Sequence, residues 1–293
     1  RLGSNVPDFI VDGTAETIRV IDYRFSNGIS GNGTIGTLEV NLSSPGSGFS
    51  NYFSFYGNLK ISSSCTISVR GGGRHVSISN SLTILQGAVF GTNAVITSGR
   101  LKRYIDSGGN AAYPFGFVYA VPGPIPMSKS LQVSIELSPA SNGDYYSVEI
   151  KDDYVYNNYD SDDNHIGGIR IDQNVIRKVW SIKEDIQGGS DATLTVKWEA
   201  GDENTGFDPN LSRIVHFENG EWDFPTSAGS VTSETSNDRT ISTISRSAIT
   251  SFSPFSVASS AIVAPMITFY RDFDEDNYGD AGNILEATSQ PPG

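Results

Sequence analysis

Near its end this 293-residue chain runs Phe269-Tyr270-Arg271 and then Asp272-Phe273-Asp274-Glu275-Asp276-Asn277-Tyr278-Gly279-Asp280, the spacing with the most definite chemistry in the sequence. Calcium is a hard cation that takes roughly six to eight oxygens, and alternate carboxylates on a tightly curled loop converge on one point. Asp272, Asp274 and Asp276 fall at the first, third and fifth positions of such a loop, Tyr278 offers a carbonyl and Asp280 a further oxygen. Asn277 stands where glycine normally supplies a left-handed backbone, and asparagine tolerates that conformation next best. Asn283 replaces the closing bidentate glutamate of a helix-flanked sensor, and no helical period surrounds the loop. The spacing therefore predicts Ca2+ in a stalk-type loop. The alternative is a solvated acidic turn, in which like charges crowd unfavourably without a cation.

A second acidic stretch carries Asp152, Asp153, Asp160, Asp162 and Asp163. Its spacing matches no standard loop, so a plain solvated loop is favoured, with a second cation on Asp160, Asp162 and Asp163 as the alternative. Beside it, Tyr154, Tyr156 and Tyr159 surround Asn157 and Asn158. Exposed tyrosines stack on sugar rings, but a tyrosine-rich strand edge is the favoured reading. No catalytic constellation is recognised. His75 and His216 alternate within apparent strands, His165 sits in the acidic loop, and no nucleophile elbow, zinc-binding His pair or phosphate-cradling loop is present. Gly71-Gly72-Gly73-Arg74 reads as an ordinary turn. Glu184, Asp185 and Glu199 lie near aromatics and are the candidates for a paired-carboxylate glycosidase, a chemistry that 33 acidic residues leave open.

The elements that must hold these residues read as strands. Thr34 to Leu42, Asn58 to Ile61, Cys65 to Val69, His75 to Ser79, Ser81 to Leu85 and Ala94 to Thr97 alternate with period two, separated by glycine and asparagine. Short rungs with small polar corners suit a β-solenoid-like region over 1–105, with a sandwich as runner-up. Proline-dense Val121-Pro122-Gly123-Pro124-Ile125-Pro126 marks a boundary or connection. Longer alternating strands at Leu131 to Leu137, Tyr145 to Ile150, Ala192 to Trp198 and Ser212 to Phe217 predict an antiparallel β-sandwich, Ig-like in architecture, over 106–262. Trp180, Trp198 and Trp222 belong to its core or rim. Residues 263–293 form the calcium-binding linker. The fold class is thus all-β.

Composition narrows the class. A single cysteine, Cys65, excludes an intramolecular disulfide and reads as a buried strand residue. Net charge is −13, and it is uneven: residues 1–140 hold 10 basic and 7 acidic groups, whereas 141–293 hold 10 and 26. Such an acidic second half argues against nucleic acid and anionic membrane as partners and favours cations. No apolar run is long enough to span a membrane, and Arg1 with no signal sequence suggests a mature or excised piece.

Several phrases resemble large secreted and cell-surface proteins of the Bacteroidota exported by the type IX route. They are Leu101-Lys102-Arg103-Tyr104 with Tyr113-Pro114-Phe115-Gly116, Val179-Trp180-Ser181-Ile182, Arg213-Ile214-Val215-His216-Phe217 with Asn219-Gly220-Glu221-Trp222, and Thr250-Ser251-Phe252-Ser253-Pro254-Phe255-Ser256-Val257. The acidic segment resembles the thrombospondin type 3 loop. The resemblance implies an extracellular, non-catalytic structural or adhesive module, in tandem with neighbouring modules or identical subunits, and carries no catalytic residues with it. A carbohydrate-binding accessory module of a secreted polysaccharide hydrolase, with surface polysaccharide as partner, is the alternative. Asn277 departs from the family pattern, and the family normally continues beyond the point where this chain stops, so a truncated calcium site is expected.

Overall fold

The computed structural model describes residues 9–21, 27–42, 52–69, 75–119, 127–151, 154–236, 238–262, 267–270 and 284–287. Strands dominate. The helical elements among the described residues are two short 3-10 turns, Ala200–Asp202 and Pro209–Leu211. No helix there is long and apolar enough to cross a membrane. The chain forms two compact units interleaved in sequence: one takes 1–151, 180–200 and 230–252, the other 152–179, 201–229 and 253–293.

The first unit begins as a parallel ladder. Strands Phe9–Ile10, Asn27–Gly31, Tyr52–Val69, His75–Ile84 and Val95–Ile105 pair side by side in that order, all parallel. Thr14–Ile21, Thr34–Leu42 and Val89–Thr92 extend a second parallel run along the later half of Tyr52–Val69. The register explains why a chain with period-two apolar positions stacks this way. Ile35 lies beside Ile61 and Ile61 beside Ile84, and Leu59, Leu82 and Leu101 form a second file. All six are buried, so each strand completes a file that a single strand could not cover alone. Cys65 sits opposite Leu38 with no exposure.

Corners are closed by small polar side chains in register. Asn32 N–H donates to Asp12 Oδ1 at 3.3 Å, Asn58 N–H to Asn32 Oδ1 at 3.2 Å, and Ser81 Oγ to Asn58 Oδ1 at 2.9 Å. Gly57 precedes one such corner with φ +89°, and a Cβ there would stand 2.3 Å from the carbonyl oxygen of Gly31. These corners bend without breaking the ladder. Segments expected as separate strands, 58–61 with 65–69 and 75–79 with 81–85, are therefore continuous as Tyr52–Val69 and His75–Ile84.

Beyond the ladder, pairing turns antiparallel. Val95–Ile105 pairs with Asp144–Lys151, and a second sheet runs Thr232–Ser236, Arg239–Ile249, Ala192–Glu199, Val133–Leu137, Asn110–Tyr113. Val133, Ile135, Leu194, Val196 and Trp198 are buried at alternate positions on one face of that sheet. Tyr113 of the second sheet donates its buried hydroxyl to the carbonyl of Tyr146 in the first at 2.9 Å, tying the layers of the sandwich. The proline-dense segment 121–126 lies outside the described residues. It is bracketed by Gly116–Tyr119 and Met127–Ser130, which pair antiparallel.

The second unit is built on Arg213–Glu218, paired with Pro254–Ala258 and, through a turn at Asn219 and Gly220, with Glu221–Trp222. Val155, Ile171, Val175, Val179, Val215, Phe217, Trp222 and Ala258 form its core. Val155–Tyr156 pairs with Arg170–Ile171, and Ile267–Tyr270 with Ile284–Ala287.

Candidate functional site

Asp272, Asp274, Asp276, Tyr278 and Asp280 lie outside the described residues, as does the turn at Gly71 to Arg74. What the structure gives is the frame of the acidic segment. Ile267–Tyr270 and Ile284–Ala287 pair antiparallel from Ile267↔Ala287 to Tyr270↔Ile284, so residues 271–283 connect the two strands of a hairpin.

The loop at 160–165 is described. Tyr159 and His165 bridge its base, and Asp160 N–H donates to the carbonyl of Asn164 at 2.9 Å. Asp160 turns its carboxylate onto the loop's own backbone: Oδ1 accepts from the N–H of Asp162 at 2.8 Å and of Asn164 at 2.9 Å. Asp163 is buried with φ +59°, while Asp162 is exposed. The three aspartates thus differ in exposure within one turn. Among the described residues no group of three His, Cys, Asp or Glu side chains is gathered to hold a metal ion.

The three tyrosines separate by role. Tyr159 packs against the core of its unit, edge-on to Phe217 at 5.1 Å and Trp222 at 5.8 Å, and its hydroxyl accepts from Tyr156 N–H at 2.9 Å. Tyr156 lies flat on His165, with ring centres 4.0 Å apart. The Arg170 guanidinium sits 4.0 Å above the ring of Tyr154. Each tyrosine therefore already has a ring or cation of this chain against it.

Arg170 opens onto a feature that sequence reasoning missed. A pocket of about 300 Å³ is lined by the polar residues Arg170, Asp172, Gln173, Asn174 and Ser260 and by the apolar residues Ile171, Ala261 and Ile262. Arg170 Nη2 donates to Asp172 Oδ2 at 3.1 Å, a hydrogen bond that raises the guanidinium pKa further above its ordinary range. Asn174 is left-handed at φ +58°, its N–H donating to Thr205 O at 2.9 Å and its carbonyl accepting from Ser259 N–H at 2.8 Å. A Cβ on Gly206 would stand 2.6 Å from Asn174 Oδ1, so the amide is seated over a residue without a side chain. No short motif announces this arrangement. Its one signal is Arg-Ile-Asp-Gln-Asn at 170–174, which alternates a charge pair around a buried isoleucine and ends in a residue tolerant of positive φ.

The catalytic candidates are each engaged in structural contacts. Glu184 accepts from Gly188 N–H at 2.9 Å and from Ser190 Oγ at 2.6 Å, and Tyr146, its hydroxyl pKa pushed up by burial, bonds Ser190 at 2.6 Å. Asp185 pairs with Lys102 at 2.6 Å, and Glu199 with Arg239. His216 is buried, stacks on Phe255 at 4.2 Å and has Nε2 2.6 Å from Ser253 Oγ. That contact superficially resembles a nucleophile and its base. Ser253 Oγ also donates to the carbonyl of Phe217, so the hydroxyl is shared between that carbonyl and the His216 ring. The contacts fasten the residue that precedes Pro254–Ala258 to Arg213–Glu218. Trp180 and Trp198 are fully buried, and Trp222 donates Nε1–H to Tyr156 O at 2.7 Å.

Comparison with family models, with curated proteins and with solved structures finds no match to this chain.

Proposed function

We propose that this chain is a non-catalytic structural and adhesive module of an extracellular bacterial surface protein or fibre, of the type IX-exported kind, with a Ca2+-stabilised joint over residues 263–293. The observation that carries the reading is the parallel ladder. Its files of apolar side chains, Leu59, Leu82 and Leu101 among them, and its cornered Asp12, Asn32, Asn58 and Ser81 spend their interactions on stacking one turn upon the next. We read this as a β-solenoid-like rod, an architecture that extends length and surface. Neighbouring modules or identical subunits are the partners such a rod would meet end to end.

The hairpin supports the calcium joint. Pairing of Tyr270 with Ile284 brings the ends of the acidic segment together, and Asp272, Asp274, Asp276 and Asp280 belong to the sequence that joins them. In a chain without disulfides, bridging them through calcium adds folding free energy where the ion is present, and extracellular modules of this type bind at roughly 0.1 to 1 mM.

Limited proteolysis with calcium and with chelator tests the reading. Protection of residues 263–293 by calcium, with the rest of the chain unchanged, is expected. Equal cleavage of that segment in both conditions would sink the calcium joint.

A further inference from the structure

We propose that the pocket beside Arg170 binds one neutral pyranose residue, free or within a polysaccharide. The inference deepens the adhesive half of the reading above by naming a ligand class, and it is independent of the calcium joint.

The lining selects the chemistry. Its one cation and one carboxylate, Arg170 and Asp172, are already bonded to each other at 3.1 Å, which leaves the site with no net charge to offer. A phosphate would need further cations, and a divalent metal would need carboxylates not committed to a guanidinium. A purely apolar ligand would leave Gln173, Asn174 and Ser260 without partners, at a cost for each group they desolvate. A sugar answers both demands. Its hydroxyls donate to Asp172 and the amide oxygens and accept from Arg170, Asn174 and Ser260, while its C–H face meets Ile171, Ala261 and Ile262. The volume, about 300 Å³, lies at the small end of ligand sites and suits a single ring.

The site is also built in advance. Tyr154 supports the Arg170 guanidinium from below at 4.0 Å, and Ile171 is anchored in register with buried Val155. Asn174 keeps a left-handed backbone that costs an ordinary residue of order 1 kcal/mol or more, held by Thr205, Ser259 and the absent side chain of Gly206. Ile171 and Asn174 are thus fixed before a ligand arrives, while Arg170 and Asp172 are about half exposed, and the fixed groups lower the ordering cost of a weakly binding ligand.

Saturation-transfer NMR on the full chain tests this, with the methyl glycosides of glucose, galactose and mannose, glucuronate and inorganic phosphate as probes. Transfer to at least one methyl glycoside is expected, displaced by a polysaccharide containing that sugar if the ring is recognised within a chain. Asn174→Gly keeps the positive φ while deleting the amide, and Asp172→Asn keeps the shape while removing the charge. Each should weaken binding by about tenfold or more with no loss of melting temperature, whereas Thr235→Ala, exposed in the first unit, should not weaken it. No transfer to any of the three glycosides, preference for phosphate or glucuronate over all of them, or equal binding by the Asn174→Gly protein would overturn the proposal. Repeating the titration with chelator separates the two readings. Sugar binding that persists without calcium protection leaves this site standing and removes the joint, and the converse result removes only this site.

Discussion

Cys65 shows how burial alone sets a residue's chemistry. Fully enclosed opposite Leu38, its thiol is pushed from 9.0 up to about 12 by desolvation. The folded chain therefore keeps a proton that the unfolded chain gives up first. The stability this contributes is complete below about pH 9 and is lost as the pH climbs toward about 12, by up to ~1.4 kcal/mol per pH unit. Urea titrations across the alkaline range should show a shallower decline for Cys65→Val than for the parent, and parallel declines would contradict the account. In native protein at neutral pH the thiol should resist aromatic disulfide reagents until denaturant is added. Ala248 makes the opposite case, an exposed residue with nothing to bury. It sits at φ +59° beside the register shift between Ala192 and Leu194. A left-handed alanine costs ~1–2 kcal/mol and glycine returns part of that as unfolded-state entropy, so Ala248→Gly should raise the unfolding free energy by about 0.5 kcal/mol, and the urea midpoint with it. An unchanged or lower midpoint would mean that the bulge relaxes around alanine without strain.

At the scale of elements, the corners of the parallel ladder decide more than its strands. Gly57 and Gly87 both have positive φ, at +89° and +78°, yet a Cβ at Gly57 would lie 2.3 Å from a backbone oxygen whereas Gly87 has open space around it. Gly87→Ala should cost about 1 kcal/mol from backbone strain alone. Gly57→Ala must in addition push two paired strands apart, and a cost above about 3 kcal/mol is expected in the same denaturation assay. Equal losses would show that the stack yields easily. This contrast also marks what was legible in the sequence. Strand Thr34–Leu42 was readable to its ends because Ile35, Leu38 and Val40 carry the apolar pattern within one rung. Tyr52–Val69 was not, because Ser62-Ser63-Ser64 looks like a break when the strand runs on through it, its pairing with Thr34–Leu42 shifting register after Ile61 and resuming at Ser64. The corner Asx and Ser residues are spaced 20, 26 and 23 residues apart, from Asp12 to Asn32, Asn58 and Ser81, and that unequal period hides the repeat. The Arg170 pocket was illegible for a related reason. Arg170 to Asn174 meets Ser260 to Ile262 only after Asn174 and Val175 pair with the region around Ala258, a long-range contact that no local spacing encodes.

Across the whole molecule, interleaving governs which pieces can stand alone. The first unit owns 1–151, but it also owns 180–200 and 230–252, and these supply Ala192–Glu199 and Arg239–Ile249 to its second sheet. A fragment ending at 151 would keep the parallel ladder with its own apolar files. It would also leave Val133–Leu137 with Asn110–Tyr113 as its single neighbour, since Ala192–Glu199 lies on the other side of that strand. Val133, Ile135 and Leu137, all buried in the intact chain, would then lose their cover, at ~1.5–3 kcal/mol each. Such losses approach the whole stability of a typical domain, about 5–15 kcal/mol. We expect fragment 1–151 to bind a hydrophobic dye and melt without cooperativity, while fragment 1–262, which retains every strand of both sheets, melts as the full chain does. A cooperative transition in fragment 1–151 would mean that the ladder and the antiparallel strands that follow it up to residue 151 form a self-sufficient core, and that the returning segments add length to the sandwich rather than completing it.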